Sequence, residues 1–269
     1  MSKVLIGLDA GHGGSSSGTY SVNTTKDGLY EKDYALELVK KINERLLANG
    51  FKTFLTRTAD VNPGTVSERA AACAKAGCRY AVSVHFNAGK NSTPNGVEVF
   101  VPYAEKGAGI EAGFNKYLGE IFNLRKPFAR SNNYYNRNCV MDKKLNLTTR
   151  KFDAVSNDKD YFGFVRTAWE KGLSADLLEV CFLTNKNDFE TYIKNKDAVA
   201  DAIARSIVEG YGETYIGAPQ TETPKAETTH ETIYRVQVGA FSVKENAEKL
   251  LNQLKAAGFT GFITGGKNG

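Results

Sequence analysis

No apolar run in this 269-residue chain approaches the ~20 residues that a membrane-spanning helix needs. The first apolar run, residues 4–8, is also too short for the core of a secretory leader, and no basic stretch precedes it. The expectation is synthesis in the cytoplasm, no membrane partner, and release by some other agent. Basic runs interleaved with aromatics are missing, and a net charge of +5 is mild. Nucleic acid is therefore not an expected partner, while a polyanionic surface such as a cell wall is compatible. Cysteine is scarce. Cys73, Cys78, Cys139 and Cys181 form no Cys-x-x-Cys pair, which argues against a thiolate zinc site and for four reduced thiols. The loop GHGGSSSG lacks the Lys-Ser/Thr of a phosphate-binding P-loop. Histidine is scarcest of the chemically useful residues, with His12, His85 and His230 alone.

What is present is ordinary globular material, 41% hydrophobic and 24% charged. Short apolar runs alternate with helical periods. Residues 3–8, 51–57, 79–86, 96–103 and 175–184 read as strands, and 31–49, 65–76, 110–122, 161–171 and 187–211 as helices. The stripe Leu36, Val39, Ile42 and Leu46, closed by Gly50, shows the helical period most clearly. This alternation predicts an α/β fold with a twisted, mostly parallel sheet flanked by helices. Residues 124–160 have no clear period, and so long a stretch suits a wall or lid. The predicted organisation is a catalytic domain over residues 1–214, a linker over 215–231 rich in Pro, Thr and Glu, and a small C-terminal β-α-β unit over 232–269. In that unit Ser242 and Glu245 have capping-box spacing, and Gly258 is the expected helix stop.

Two of the three histidines follow apolar runs at the ends of predicted strands, where ligands bind in open α/β sheets. His230 lies in the linker and is expected to be idle. A catalytic zinc takes three protein ligands and leaves a fourth position open. Glu31, at the start of the first helix and just beyond the loop that carries His12, supplies the missing ligand for a His12–Glu31–His85 site. Each residue also has a plainer reading. A histidine in a glycine loop is commonly just polar, and a carboxylate at a helix start is favoured by the macrodipole alone. Glu179 sits in the otherwise apolar run LLEVCFL. An unpaired buried carboxylate is costly, so it meets a metal, a cation or a proton. It is either a general base beside a metal-bound water or half of an ion pair with Arg166 or Arg69.

Taken together, DAGHGG, GLYEKDYALEL, SVHFNA and LLEVCFLTN, with RTAD and SERAAACAKAG between them, resemble the zinc-dependent N-acetylmuramoyl-L-alanine amidases of the type-3 family. The resemblance spans residues 3–212. It implies Zn²⁺ held by His12, Glu31 and His85, with Glu179 catalytic, and hydrolysis of the amide between the lactyl group of muramic acid and L-alanine in peptidoglycan. Asp9 and Asn87 become candidates for shaping or supporting the site. Two departures stand out: a longer 124–160 segment, and Cys181 where the family often has glycine. The rival readings are a zinc peptidase acting on the stem peptide and a wall-binding protein without catalysis.

YRVQVGAFSVKENAEKLLNQLKAAGFTGFIT resembles one repeat of the peptidoglycan-binding SPOR domain. One β-α-β unit is small to fold alone, so the expectation is a homodimer in which two copies complete one sheet, with a truncated or loosely ordered tail as the rival reading. The implied setting is cell lysis, by a phage endolysin or a bacterial autolysin.

Overall fold

The computed structural model describes residues 4–22, 28–102, 109–125, 136–137, 162–218, 238–239, 241–256 and 263. The chain divides into two compact units, residues 1–221 and 222–269.

In the first unit the elements run β1 (Leu5–Ala10), α1 (Glu31–Ala48), β2 (Lys52–Leu55), α2 (Val66–Lys75), β3 (Tyr80–Asn87), β4 (Glu98–Val101), α3 (Gly109–Gly119), β5 (Asn136–Arg137), α4 (Gly163–Glu170), β6 (Ser174–Phe182) and α5 (Lys186–Gly210). They build a six-stranded sheet in the order β2-β1-β3-β6-β4-β5. All neighbouring pairs are parallel except β4 with β6. Helical crossovers cover a parallel sheet on both faces, and the mostly parallel α/β architecture expected from the alternation of elements is what the chain adopts.

The two faces differ in chemistry. Side chains alternate along a strand. One set, Ile6, Leu8, Ala10, Val82, Val84, Phe86, Leu178 and Val180, lies in the main core with buried residues of α1, α3 and α5. The opposite set begins with small residues under α2 and α4, where Ala81 and Ala175 pack with Ala70, Cys73 and Ala168. Space is tight there, since a Cβ on Gly7 would lie 2.9 Å from that of Ala81. Toward the C-terminal ends of the strands this face turns polar, through Asp9, Ser83, His85 and Glu179. The short α2 and α4 leave that end open, and the cleft described below is found there.

Local signals explain the helix ends. Thr65 caps α2, accepting from the Glu68 backbone N–H at 3.2 Å while the Glu68 carboxylate accepts from the Thr65 N–H at 2.7 Å. Asn185 caps α5 through the N–H groups of Asn187 and Asp188. Two expectations are corrected. The first strand, expected over residues 3–8, runs on through Asp9 to Ala10, and Asp9 is wholly buried within it. The stretch expected to be linker from residue 215 begins by docking on the first unit, because Asn49 bonds both the Ile216 N–H and the Gly217 carbonyl.

In the second unit α6 spans Lys244–Ala256. It begins two residues after Ser242, so Ser242 stands one position outside the expected cap, and the Asn246 N–H bonds the Val243 carbonyl instead. The two strands expected there, Gly258, most of the 124–160 segment, Cys139 and His230 fall largely or wholly outside the described residues. Cys73, Cys78 and Cys181 are free and buried. Among the described residues no helix is long and apolar enough to cross a membrane.

Candidate metal centre

His12, Glu31 and His85 come together. One ligand atom from each lies within 4.8 Å of the others, and among the described residues no other His/Cys/Asp/Glu group could hold a metal ion. Glu31 Oε1 is the shared partner, 3.2 Å from His12 Nε2 and 2.9 Å from His85 Nδ1. The rings meet edge to face with centroids 4.9 Å apart.

Each donor is placed by its own element. Glu31 is the first residue of α1, where the helix dipole favours an anion. Its Oε1 also accepts the Phe86 N–H at 3.0 Å, and its Oε2 the Thr19 N–H at 2.9 Å. Burial raises the Glu31 carboxyl, but hydrogen bonds and charge from His12 and His85 outweigh it and hold the group well below the usual carboxylate range. It therefore remains an anion in weak acid. His85 sits near the end of β3, its side chain on the sheet's polar face. His12 occupies the left-handed region at φ 61°, a conformation that costs a non-glycine residue about 1–3 kcal/mol. The Gly13–Ser16 bridge sustains it, with N–H···O distances of 2.9 and 3.1 Å, and Ser16 Oγ lies 3.0 Å from His12 Nδ1. Such a partner on the far ring nitrogen orients a ligand histidine.

The glycines of the loop are required for close approach. A Cβ on Gly11 would lie 2.5–2.7 Å from three atoms of the His85 ring, and one on Gly18 would lie 2.5 Å from Glu31 Oε2. Replacement Gly11→Ala should push the His85 imidazole aside and, if this candidate centre takes zinc, weaken its affinity by about 10–100-fold, the range for disturbed ligand support. A competition titration against a chromogenic chelator reads this, and wild-type affinity would refute it.

Asp9 and Arg69 sit behind the loop. Arg69 Nη1 donates to both Asp9 oxygens, at 2.9 and 3.0 Å, while Thr56 and Ser83 hydroxyls donate at 2.6 and 2.5 Å. Asp9 therefore anchors β1 below His12, and Arg69 is committed to it, which removes Arg69 as the ion-pair partner considered for Glu179. Removing one member of a buried pair strands the other charge. Arg69→Ala should cost about 3–5 kcal/mol in denaturant unfolding; a loss below ~1 kcal/mol would show the two hydroxyls suffice.

Glu179 lines a cleft of about 390 Å³ together with all three candidate ligands, Thr19, Asn87 and an apolar wall that includes Val66, Phe162, Phe164 and Leu177. It pairs in register with His85 of β3 on one side and with Glu98 of β4 on the other. Its Oε2 has no hydrogen-bond partner among the described residues. Burial, then the charges of Glu31 and Glu98, push its carboxyl well above the ordinary range. Asn87 also lines the cleft, its Nδ2 donating to Glu98 Oε2 at 2.8 Å and its Oδ1 accepting the Ala88 N–H at 2.8 Å.

Sequence reasoning missed three residues. Arg57, within RTAD, donates to the carbonyls of Ala10, Gly11 and Lys32 at 3.1, 2.9 and 2.7 Å, pinning the backbone next to the candidate ligands His12 and Glu31. Nothing in the sequence marks those carbonyls as its partners. Glu98 carries the signal that singled out Glu179, a carboxylate in an apolar run, here GVEVFV. Arg125, which donates to Glu98 Oε1 at 2.7 Å, comes from the stretch without a period.

Two imidazoles and a carboxylate converging on one point beside an open cleft match the donor set of a catalytic zinc, three protein ligands with the fourth side free. Fold and site together define a mostly parallel α/β protein with a candidate site for one divalent metal beside an open cleft. Residues 6–209 match the family described as N-acetylmuramoyl-L-alanine amidase, and residues 198–268 match the SPOR domain. The chain belongs to the N-acetylmuramoyl-L-alanine amidase family, hydrolases of an amide in peptidoglycan. It is 26% identical over 262 residues to the N-acetylmuramoyl-L-alanine amidase CwlM of Bacillus licheniformis, covering 97% of this chain and 84% of the relative. A sporulation-specific N-acetylmuramoyl-L-alanine amidase of Bacillus subtilis is 26% identical over 263 residues, with the same coverage. The catalytic domain of CwlV, an amidase from Bacillus (Paenibacillus) polymyxa var. colistinus, shares the fold with a TM-score of 0.58 at 22% identity, over 78% of this chain and 98% of that domain.

Proposed function

We propose that His12, Glu31 and His85 bind one Zn²⁺, and that Glu179 is the general base, then general acid, for cleavage of the lactyl–L-alanine amide of peptidoglycan. The observation that carries this reading is a carboxylate whose buried Oε2 has no hydrogen-bond partner among the described residues, lining the same cleft as a two-histidine, one-carboxylate donor set. When bound, zinc supplies Lewis acidity toward the amide carbonyl and toward water. Glu31, kept ionised by the two histidines, offsets part of the cation's charge. Glu179 takes the proton of the attacking water and returns it to the departing alanine nitrogen; its burial and carboxylate neighbours give it the affinity for protons this requires. The apolar wall of Val66, Phe162, Phe164 and Leu177 limits water in the cleft and suits the methyl groups on either side of the scissile amide.

Digestion of purified peptidoglycan by the zinc-loaded protein tests the bond assignment. Mass spectrometry should find peptides with a free N-terminal L-alanine; new ends inside the stem peptide would mean a peptidase instead. The SPOR match supports a C-terminal unit, residues 232–269, that keeps the enzyme on the wall after a linker. Pairing of that unit between two copies belongs to the same proposal, and full-length protein sedimenting at the monomer mass of 29.4 kDa at micromolar concentration would exclude it. Because the substrate lies outside the cytoplasmic membrane, the enzyme acts after release, as an endolysin or an autolysin does.

A further inference from the structure

His85, Glu179 and Glu98 stand at one register on three adjacent strands, β3, β6 and β4. Cross-strand partners lie about 4.5–5.5 Å apart on one face of the sheet, so Glu98 is the immediate neighbour of the proposed base. It is buried, at 6% exposure. Its two oxygens are divided between two donors: Oε1 accepts from Arg125 Nε at 2.7 Å, and Oε2 accepts from Asn87 Nδ2 at 2.8 Å. One strand away, Glu179 is half-buried, and its Oε2 atom is buried and accepts nothing among the described residues.

We propose that Glu98 is a positioning residue that draws the Arg125 guanidinium and the Asn87 amide away from Glu179, so that the base keeps an unbonded oxygen for the proton of the nucleophilic water. The inference rests on Glu179 being the base. Arg125 bonds Glu98, and Glu98 is the register partner of Glu179, so a guanidinium released from Glu98 has a second carboxylate one strand away; a charge-assisted bond is about twice as strong as a neutral one. Were Arg125 to turn to Glu179, the lone pair needed for proton transfer would be occupied and the carboxylate swung off the cleft. Glu98 prevents this by satisfying both donors. Arg125 is held further by its stacking over Phe182, 4.8 Å from the ring centroid, and Asn87 by its bond from the Ala88 N–H. Both donors are thus fixed on the Glu98 side of the row.

The prediction separates this role from simple support. In full-length, zinc-loaded protein acting on a soluble muramoyl-peptide, Glu98→Ala should lower kcat by at least ~10-fold and change KM by no more than about twofold. Bound zinc should remain at the wild-type level. Removing the freed donor as well, in Glu98→Ala/Arg125→Ala, should recover at least about threefold of the lost kcat, a non-additivity expected of residues in one network. A residue that only supports the fold would make the double variant worse than the single one. Wild-type kcat in Glu98→Ala, a rise in KM alone, or no recovery in the double variant overturns the proposal. If Glu98→Ala does not fold, Glu98→Gln and Glu98→Gln/Arg125→Ala carry the same comparison. Glu179→Gln is measured alongside. If it keeps activity, the base assignment fails and this inference with it; if it is inactive and the double variant shows no recovery, the inference alone fails.

Discussion

Glu179→Ala should reduce amide cleavage by roughly 10²–10⁴-fold, the usual contribution of a positioned general acid–base group, while the protein keeps its zinc. The two halves of this expectation come from different geometry. Glu179 lines the cleft but is not one of the three residues whose donor atoms converge, so its loss leaves His12, Glu31 and His85 in place. Truncation also removes a carboxylate whose buried Oε2 no described donor satisfies, and unsatisfied buried polar groups are destabilising. The variant should therefore be no less stable than the parent, and a thermal scan checks that. Release of N-terminal alanine from peptidoglycan and zinc content by atomic absorption are the paired measurements. Activity within tenfold of wild type, or lost together with the metal, would refute the assignment.

Stripping the metal is the second large effect. A chelator should abolish activity, and added Zn²⁺ should restore it. Stability should follow. A metal that binds only the folded protein adds about 2.7 kcal/mol at a concentration 100 times its Kd, which for a domain of this size is a rise in Tm of roughly 5–10 °C. The reason lies in the donors. Glu31 is a buried anion resting between two imidazoles, and a divalent cation replaces those weak partners with a full compensating charge. Differential scanning of stripped and reloaded protein gives the number; equal Tm with and without Zn²⁺ would argue that no metal is held at these residues.

Much of this was legible in the sequence because it is local. The α1 stripe of Leu36, Val39, Ile42 and Leu46 depends on residues within a turn of one another, and Val39, Ile42 and Leu46 are buried while Leu36 packs half-buried against the same core. Glu179 was legible for a related reason: desolvation makes a carboxylate in an apolar strand anomalous wherever the strand lies. Glu98 carries the same mark more faintly, because its run is shorter and sits beside a segment with no period. Arg57, Arg69 and Gly18 were illegible. Their roles are set by carbonyls, a carboxylate and a side chain that are distant in sequence, such as Asp9 for Arg69, 60 residues away.

The sequence by itself determined the alternation of strand and helix and the three candidate ligands, since these follow from period, burial cost and the chemistry of rare residues. The tertiary structure decided what the glycine loop is for. Gly11 and Gly18 carry no side chain because the His85 ring and the Glu31 carboxylate occupy the space, and the residue bent into the left-handed region is His12 itself. It also decided that Asp9 is a buried anchor within β1 and that Glu98 stands beside Glu179. Those facts depend on which strands become neighbours and in what register, and pairing between distant segments is set by the packing of the whole sheet and not by any short stretch of chain.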